Sequence, residues 1–341
     1  MTQETEDTVT ITFETDGQPF PYRPGQFVNL RQIIGGEEIL RSYSLSSAPG
    51  EDEKPAITIK KVEGGRMSNF IFRHARDIRV WEVDGPHGAF YAVPEATGGH
   101  PVVLIGGGSG ITPLYSMLQA FLKHSGRPIL VIDCNRSWKD VVFAGGITRL
   151  EQQYADRLQV HHFLSRETGT AGLPCRNARA EKLSRLVLKK TLKKFLGAST
   201  RESEYFLCGP GGLMKLATEV LHFLEVPAGH IHQEDFAPAA EEPVAIALPR
   251  VPKEVLLHYY EQSNLLEVQS GKTILEAALE DRVPLGYSCK NGTCGRCAAR
   301  QTAGRVHMRK NNALTEEEVN GGFILLCQSH PLDDAVEVII E

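Results

Sequence analysis

Apolar and polar residues alternate through much of the first hundred positions. Val9, Ile11 and Phe13 are interleaved with threonines, and Ala56 to Val62 repeats the pattern. A period of two is that of strands with one face turned inward. Phe27-Val28-Asn29-Leu30 reads as a further strand, and Tyr22-Arg23-Pro24-Gly25-Gln26, Gly64-Gly65 and Asp84-Gly85-Pro86 supply turns. Many short strands at this spacing predict an antiparallel barrel or sandwich. From Pro101 the rhythm changes. Val102 to Ile105, Ile129 to Ile132, Val160 to Leu164 and Tyr205 to Leu207 are apolar on both faces, with helical stretches such as Leu114 to His124 and Leu213 to Leu224 between them. That alternation predicts a parallel sheet covered by helices on both sides.

Phe236 to Pro252 carries Pro238, Pro243, Pro249 and Pro252 among alanines and glutamates, the composition of a semi-extended linker. A last block follows, with strands near Glu254–Tyr260, Leu265–Gln269 and Ala335–Ile340, and a helix over Lys272–Asp281 capped by Thr273. The expected division is therefore 1–98, 99–237, a linker over 238–252, and 253–341.

Composition narrows the function classes. The 341 residues are 41% hydrophobic and 23% charged, enough to bury real cores. A net charge of −5 gives no overall basic field for nucleic acid. No run approaches the roughly 20 apolar residues of a membrane span. Met1 to Thr15 is acidic and lacks the basic start and apolar run of a secretory signal. A cytoplasmic chain with reduced thiols is the expectation, so its seven cysteines are not read as a disulfide framework.

Cys289, Cys294 and Cys297 fall within nine residues, and Cys327 follows 30 positions after Cys297. Four thiolates converging from one tight loop and one separate segment are what an iron–sulfur cluster requires, and C-x4-C-x2-C with a distant fourth cysteine is the plant-type [2Fe–2S] spacing. Structural zinc more often takes paired C-x2-C arms. Gly292 and Gly295 suit such a loop because glycine tolerates positive φ. The run Cys289 to Cys297, with Leu326-Cys327-Gln328-Ser329, resembles the cluster loop of plant-type ferredoxins, which implies an α+β β-grasp fold for the terminal block.

Gly106-Gly107-Gly108-Ser109-Gly110-Ile111-Thr112-Pro113 lies between an apolar strand and a helix. Glycines there let a pyrophosphate approach free N–H groups and the positive end of the helix dipole. Thr112 is expected as the N-cap, with Pro113 in the first turn. Alone, this is also the pattern of any glycine-rich turn. Leu207-Cys208-Gly209-Pro210-Gly211-Gly212 repeats the arrangement after another strand. Together the two motifs resemble the NAD(P)-binding domain of the ferredoxin–NADP reductase family. The resemblance implies contacts to the dinucleotide from Gly107, Gly108, Ser109, Gly110, Thr112, Pro113, Cys208, Gly209 and Pro210, with Thr112 and Cys208 beside the nicotinamide. Cys208 would position the ring and not attack it. Asn135-Arg136-Ser137 and Ser165-Arg166 follow the next two strands. Arg136, Ser165 and Arg166 resemble 2′-phosphate contacts and favour NADPH over NADH, although arginines at strand ends are also ordinary surface charge and Asp133 nearby would suit NADH.

Arg41-Ser42-Tyr43-Ser44 matches the flavin signature of the same family. The resemblance implies that Arg41 pairs with the FAD pyrophosphate, Tyr43 packs on the flavin and Ser44 lies where hydride arrives. Gly64-Gly65-Arg66-Met67-Ser68-Asn69 resembles the second phosphate contact, through Gly65, Met67 and Ser68. Phe236 holds an end-of-domain aromatic position near the flavin, and is equally readable as a strand-end core residue. Tyr43, Ser44 and Cys208 are thus the residues expected at the reacting atoms. The family's barrel usually has a strand before Glu4-Thr5-Glu6-Asp7-Thr8. This chain begins there, so the expectation is either a start further upstream or a lost strand that leaves an exposed edge.

The order of FAD-binding barrel, NAD(P)-binding domain, linker and ferredoxin resembles the reductase components of multicomponent oxygenases. It implies hydride transfer from NADPH to FAD, then single electrons through the [2Fe–2S] cluster to an oxygenase. A stand-alone reductase of a quinone or other small acceptor, and a redox-sensing protein, are the alternatives. The terminal block, Glu254 to Glu341, has 13 acidic and eight basic side chains. An acidic face suits a basic acceptor surface, and suits simple solubility as well. Ala180 to Leu196 reads as a basic amphipathic helix covering the sheet, with docking to an anionic partner as the other reading.

Overall fold

A computed structural model describes residues 1–94, 99–236, 248–260, 262–287, 290, 292 and 294–340. Most of the expected linker and Cys289 lie outside the described residues. The six amino-terminal strands are β1 (Thr2–Thr5), β2 (Thr8–Thr12), β3 (Phe27–Ile34), β4 (Glu37–Ser44), β5 (Ala56–Lys60) and β6 (Glu82–His87), with helix α1 (Arg66–His74) between the last two. They form two three-stranded sheets, β1-β2-β5 and β4-β3-β6. In the first, antiparallel pairing sets Val9 against Ile59 and Ile11 against Ile57. All four are buried, as their alternation with threonine requires. The short β1 is the edge of that sheet.

The middle of the chain is the expected covered parallel sheet. Its elements are β7 (Val102–Gly107), α2 (Ile111–His124), β8 (Ile129–Asn135), α3 (Ala144–Gln153), β9 (Leu158–Leu164), β10 (Ala178–Arg179), α4 (Arg185–Leu196), β11 (Glu204–Cys208), α5 (Gly211–Phe223) and β12 (Ile231–Glu234). Strand order is β10-β9-β8-β7-β11-β12, and every pairing is parallel. Side chains alternate between two cores, one holding Val102, Leu104 and Phe206 with α2 and α3, the other holding Val103, Ile105 and Leu207 with α4 and α5. The order runs outward in both directions from β7, so the β7/β11 boundary is a switch point. Ligands of such sheets sit there, beyond the carboxyl ends of the strands. The basic helix begins at Arg185, not Ala180, and Ser184 caps it through the Val187 N–H. Leu188, Leu192 and Leu196 are buried, whereas Leu186 is 61% exposed.

The terminal block contains β13 (Lys253–Tyr259), β14 (Gln262–Val268), α6 (Ile274–Glu280), β15 (Ala298–Ala303), β16 (Val306–Met308), α7 (Glu316–Asn320), β17 (Phe323–Leu325), β18 (Ser329–Pro331) and β19 (Val336–Ile340). Its main sheet is ordered β14-β13-β19-β15-β17, with α6 packed on a core of Val255, Leu257, Leu266 and Val338. Thr273 caps α6 as the sequence predicts, in a reciprocal box with Glu276.

The chain divides into two compact units that cut across linear order. One holds Met1–Val28, Tyr43–Trp81 and Phe90–Phe236. The other holds Asn29–Ser42, Glu82–Ala89 and Ala237–Glu341, the span that contains the terminal block.

Candidate functional site

Three helices of the first unit start where the sequence motifs lie, and they start alike. α1 begins after Gly65, α2 after Gly110 and α5 after Pro210, each with no side-chain cap and no acidic residue in its first turn. Uncapped first turns leave N–H groups for an anion.

At the switch point the two glycine motifs are in backbone contact. Cys208 pairs with Gly106 across β7 and β11, and a Cβ at Gly110 would collide with the Cys208 carbonyl. Only glycine lets these loops close. The Gly108 N–H donates to Asn135 Oδ1 (3.1 Å), which ties the first loop to the end of β8. A Cβ at Gly209 would stand 3.2 Å from the Gly107 N, while Ser109 lies in the turn before α2, Pro113 in the first turn of α2 and Pro210 directly before α5. Thr112 is not the expected N-cap. A short 3-10 turn over Gly108–Gly110 moves the helix start forward, so Thr112 sits inside α2 with its hydroxyl buried and without a partner among the described residues.

Cys208 is fully buried, and burial, with Glu234 and Asp235 adding to it, pushes its thiol far above the ordinary range. A thiol held neutral is no nucleophile, in line with a positioning role. Glu234, opposite Cys208 on β12, belongs to none of the sequence motifs and escapes a reading based on them. Burial raises its carboxyl to about 8, and Oε2 has no partner among the described residues. Its only sequence signal is its place two residues before Phe236, which is 44% exposed.

The arginine pairs meet as their strand-end positions foretell. The Arg166 N–H donates to the Arg136 carbonyl (2.7 Å) and the Ser165 N–H to that of Asn135 (3.0 Å). Arg136 also donates to Asp140 Oδ1 (2.7 Å), whose carboxyl stays low because hydrogen bonds from Ser137 and Arg136 outweigh its burial. Asp133 points elsewhere. It is buried between His162 Nδ1 (3.1 Å) and the Asn135 amide, which donates to it (2.8 Å).

Tyr43 and Ser44 end β4, with Ser44 buried, and the following residues are tied to α2. The Ser116 hydroxyl donates to the Ser47 carbonyl (2.5 Å) and Gln119 to that of Ser46 (3.3 Å). The helix that starts at the nicotinamide motif is therefore anchored to the segment that follows the flavin motif. Met67 and Ser68 are buried in the first turn of α1, and Ser68 Oγ accepts the Val62 N–H (3.1 Å). Arg41 is exposed and donates to the Leu40 carbonyl.

In the second unit, Cys294, Cys297 and Cys327 are buried. Pairing of Ala298 with Leu325 brings the last two together, closed by the Leu326 N–H donating to the Cys297 carbonyl (3.0 Å). Gly292 and Gly295 have φ of 78° and 71°, and a Cβ on Gly292 would press on the Lys310 carbonyl at 2.9 Å. The Gln328 amide donates to the Lys290 carbonyl (3.0 Å) and bridges the two segments. Buried soft donors in a glycine-shaped loop fit a [2Fe–2S] cluster.

Three family models match in succession: an oxidoreductase FAD-binding domain over residues 1–91, an oxidoreductase NAD-binding domain over 104–219, and a 2Fe-2S iron-sulfur cluster binding domain over 259–332. The ferredoxin reductase component of 3-ketosteroid-9-alpha-monooxygenase from Rhodococcus rhodochrous is 30% identical over 99% of this chain and 94% of its own. This chain belongs to the ferredoxin–NADP reductase family, in a form fused to a [2Fe–2S] ferredoxin domain. One of the polypeptides of 1,2-phenylacetyl-CoA epoxidase from Escherichia coli (strain K12) is 32% identical over 98% of this reductase and 94% of its own length. Phthalate dioxygenase reductase shares the fold (TM-score 0.56, 22% identity, 100% of this chain and 95% of that one). An intact type IV self-sufficient cytochrome P450 monooxygenase contains it too (TM-score 0.72, 21% identity, 98% of this chain and 39% of that one). The reductase is an NAD(P)H-dependent oxidoreductase that uses FAD and a [2Fe–2S] cluster. Among its described residues no helix is long and apolar enough to cross a membrane.

Proposed function

We propose that this reductase takes hydride from NADPH and supplies single electrons to the oxygenase component of a multicomponent system. The observation that carries the reading is one chain holding two nucleotide loops in contact at a sheet's switch point and, further on, three buried cysteines in a ferredoxin fold. FAD, when bound, accepts two electrons together and releases them singly, and the cluster carries one at a time.

The protein's own work is positioning. The uncapped first turns of α1 and α2 hold pyrophosphate oxygens, the first through Gly65, Met67 and Ser68, the second through Gly107, Gly108, Ser109 and Gly110, with Pro113 stiffening its first turn. Gly209 and Pro210 shape the facing wall. Arg41 adds a planar cation on the FAD phosphates. Tyr43 and Phe236 offer aromatic faces, and Ser44 a hydroxyl near the flavin nitrogen that would receive hydride. Thr112 and Glu234 present buried polar groups without partners among the described residues, suited to a nicotinamide carboxamide, and Cys208 packs beside the ring. Arg136, Ser165 and Arg166 take the 2′-phosphate, and Asp133 is turned inward, onto His162 and the Asn135 amide. Cys289, Cys294, Cys297 and Cys327 hold the cluster.

By its name the Rhodococcus rhodochrous relative is the ferredoxin reductase component of a monooxygenase, and the Escherichia coli relative belongs to an epoxidase, which supports an oxygenase as acceptor. The acidic terminal block suits a basic docking surface on it. The test is turnover of the reconstituted protein with NADPH and NADH, and with a candidate oxygenase across a salt series. NADPH preference and a steep fall with salt are expected. NADH preference would remove the 2′-phosphate assignment, and salt-independent reduction of a quinone with no transfer to an oxygenase would favour the self-contained reductase.

A further inference from the structure

Asn29, on β3, is completely buried although it is polar. A buried amide costs folding energy unless all its groups are paired, and here they are. Its Nδ2 donates to the backbone carbonyl of Cys294 (2.9 Å) and faces Asp84 Oδ2 (3.2 Å), while its Oδ1 accepts the Ser42 hydroxyl (2.8 Å). The amide has only one workable orientation. A carbonyl and a carboxylate accept and never donate, so both must face the NH2 end. Asp84 remains a carboxylate, because hydrogen bonds from His87 and Asn29 outweigh the effect of its burial.

The two ends of this network matter. Ser42 stands between Arg41 and Tyr43 in the flavin motif, and Cys294 is a cysteine of the cluster loop. Asn29, Ser42, Asp84, His87 and Cys294 all belong to the second compact unit. Ion pairs flank the contact: Glu38 lies 3.7 Å from Arg296 and 3.6 Å from Arg31, which also reaches Glu82 at 3.1 Å. Those charges are partly exposed and contribute little each. The buried amide is the part with fixed geometry.

From this juxtaposition we infer that Asn29, clamped by Ser42, is a positioning residue for electron passage from flavin to cluster. It holds the Cys294 peptide against the flavin-bearing strand, and it draws electron density from that peptide, which favours the reduced cluster. The inference rests on the functional reading above. Per turnover, NADPH and two oxidised clusters give NADP+, one proton and two reduced clusters, so two single electrons cross this contact for each hydride.

The test uses the full-length holoprotein. Asn29→Leu keeps the volume and removes every hydrogen bond of the amide. Ser42→Ala loosens only the clamp and carries the test if the leucine variant does not fold. Three quantities are read at matched flavin and iron content: ferricyanide reduction, which needs only the flavin; cytochrome c reduction, which needs the cluster; and the cluster potential from a mediated titration followed by electron paramagnetic resonance. The expected result is unchanged ferricyanide turnover and a three- to tenfold fall in cytochrome c turnover, about what one net hydrogen bond provides. The cluster potential should also fall, where a tenfold change in equilibrium constant corresponds to about 59 mV for one electron. A purely structural role would lower cofactor content or melting temperature and leave the potential alone. Wild-type potential and an unchanged ratio of the two activities in both variants overturn the inference and leave the proposed function standing. A wild-type protein that reduces ferricyanide but never its own cluster overturns both.

Discussion

Helices α1, α2 and α5, which start at the nucleotide motifs, and the two helices of the ferredoxin block begin in opposite ways. In the terminal block α6 and α7 each open with a full capping box, Thr273 with Glu276 and Thr315 with Glu318. Their free N–H groups are satisfied from within the chain, and a carboxylate offsets each dipole. Helices α1, α2 and α5 have neither device. A helix that finishes its own first turn is a structural part, whereas one that leaves it open has kept the place for an anion. The lack of a cap is not sufficient, since α3 also lacks one, its N-cap position being Phe143 with φ of 60°. It becomes informative where glycine loops and a switch point coincide.

The contrast can be broken or sharpened by substitution. The largest effect should come from Cys294→Ser. Loss of one thiolate from the cluster loop should cut cytochrome c reduction by on the order of 100-fold or more with ferricyanide reduction kept, as cluster ligation depends on all four positions. Next, Gly110→Ala drives a methyl into the Cys208 carbonyl. Nicotinamide affinity, read by titration of the flavin spectrum, should fall by about 10- to 100-fold, the equivalent of about 1.4 to 2.8 kcal/mol. Arg136→Ala with Arg166→Ala should raise KM for NADPH about tenfold or more and leave NADH nearly unchanged, as expected for lost charge-assisted bonds.

Glu234 provides a pH test. Its carboxyl is raised to about 8 in the folded protein, so the unfolded state loses its proton first as pH rises. The stabilisation is present in full below the ordinary glutamate range, is lost progressively as pH rises to about 8, and is flat beyond. Melting temperature should decline over that window in the wild type and less in Glu234→Gln. The smallest effect belongs to the finished helices. Thr273→Ala should cost about 1 kcal/mol in urea unfolding with NADPH kinetics intact.

Much of this was legible in the sequence because its signals are local. Both-face apolar runs gave the parallel sheet, glycines next to strands gave the loops, and Thr273 three residues before Glu276 gave a cap. What escaped is a local turn geometry in one case and partners distant in sequence in two others. Thr112 looks like a cap until the Gly108–Gly110 turn moves the helix start. Glu234 becomes notable only when β12 pairs with β11 and sets it opposite Cys208. Asn29 read as one more strand residue, because nothing near it in the chain announces Cys294.

The bond between those two residues spans 265 positions. A ribosome adds roughly 5 to 20 residues per second, with amino-terminal parts folding first. Asn29 therefore leaves the exit tunnel about 13 to 53 seconds before its partner does, carrying a polar group meant for a dry interior. Until then its strand must stay hydrated or shielded, so the slow stage in making this enzyme should be the late arrival of its last quarter. Slowing translation upstream of the cysteine loop would then lower the yield of intact holoprotein.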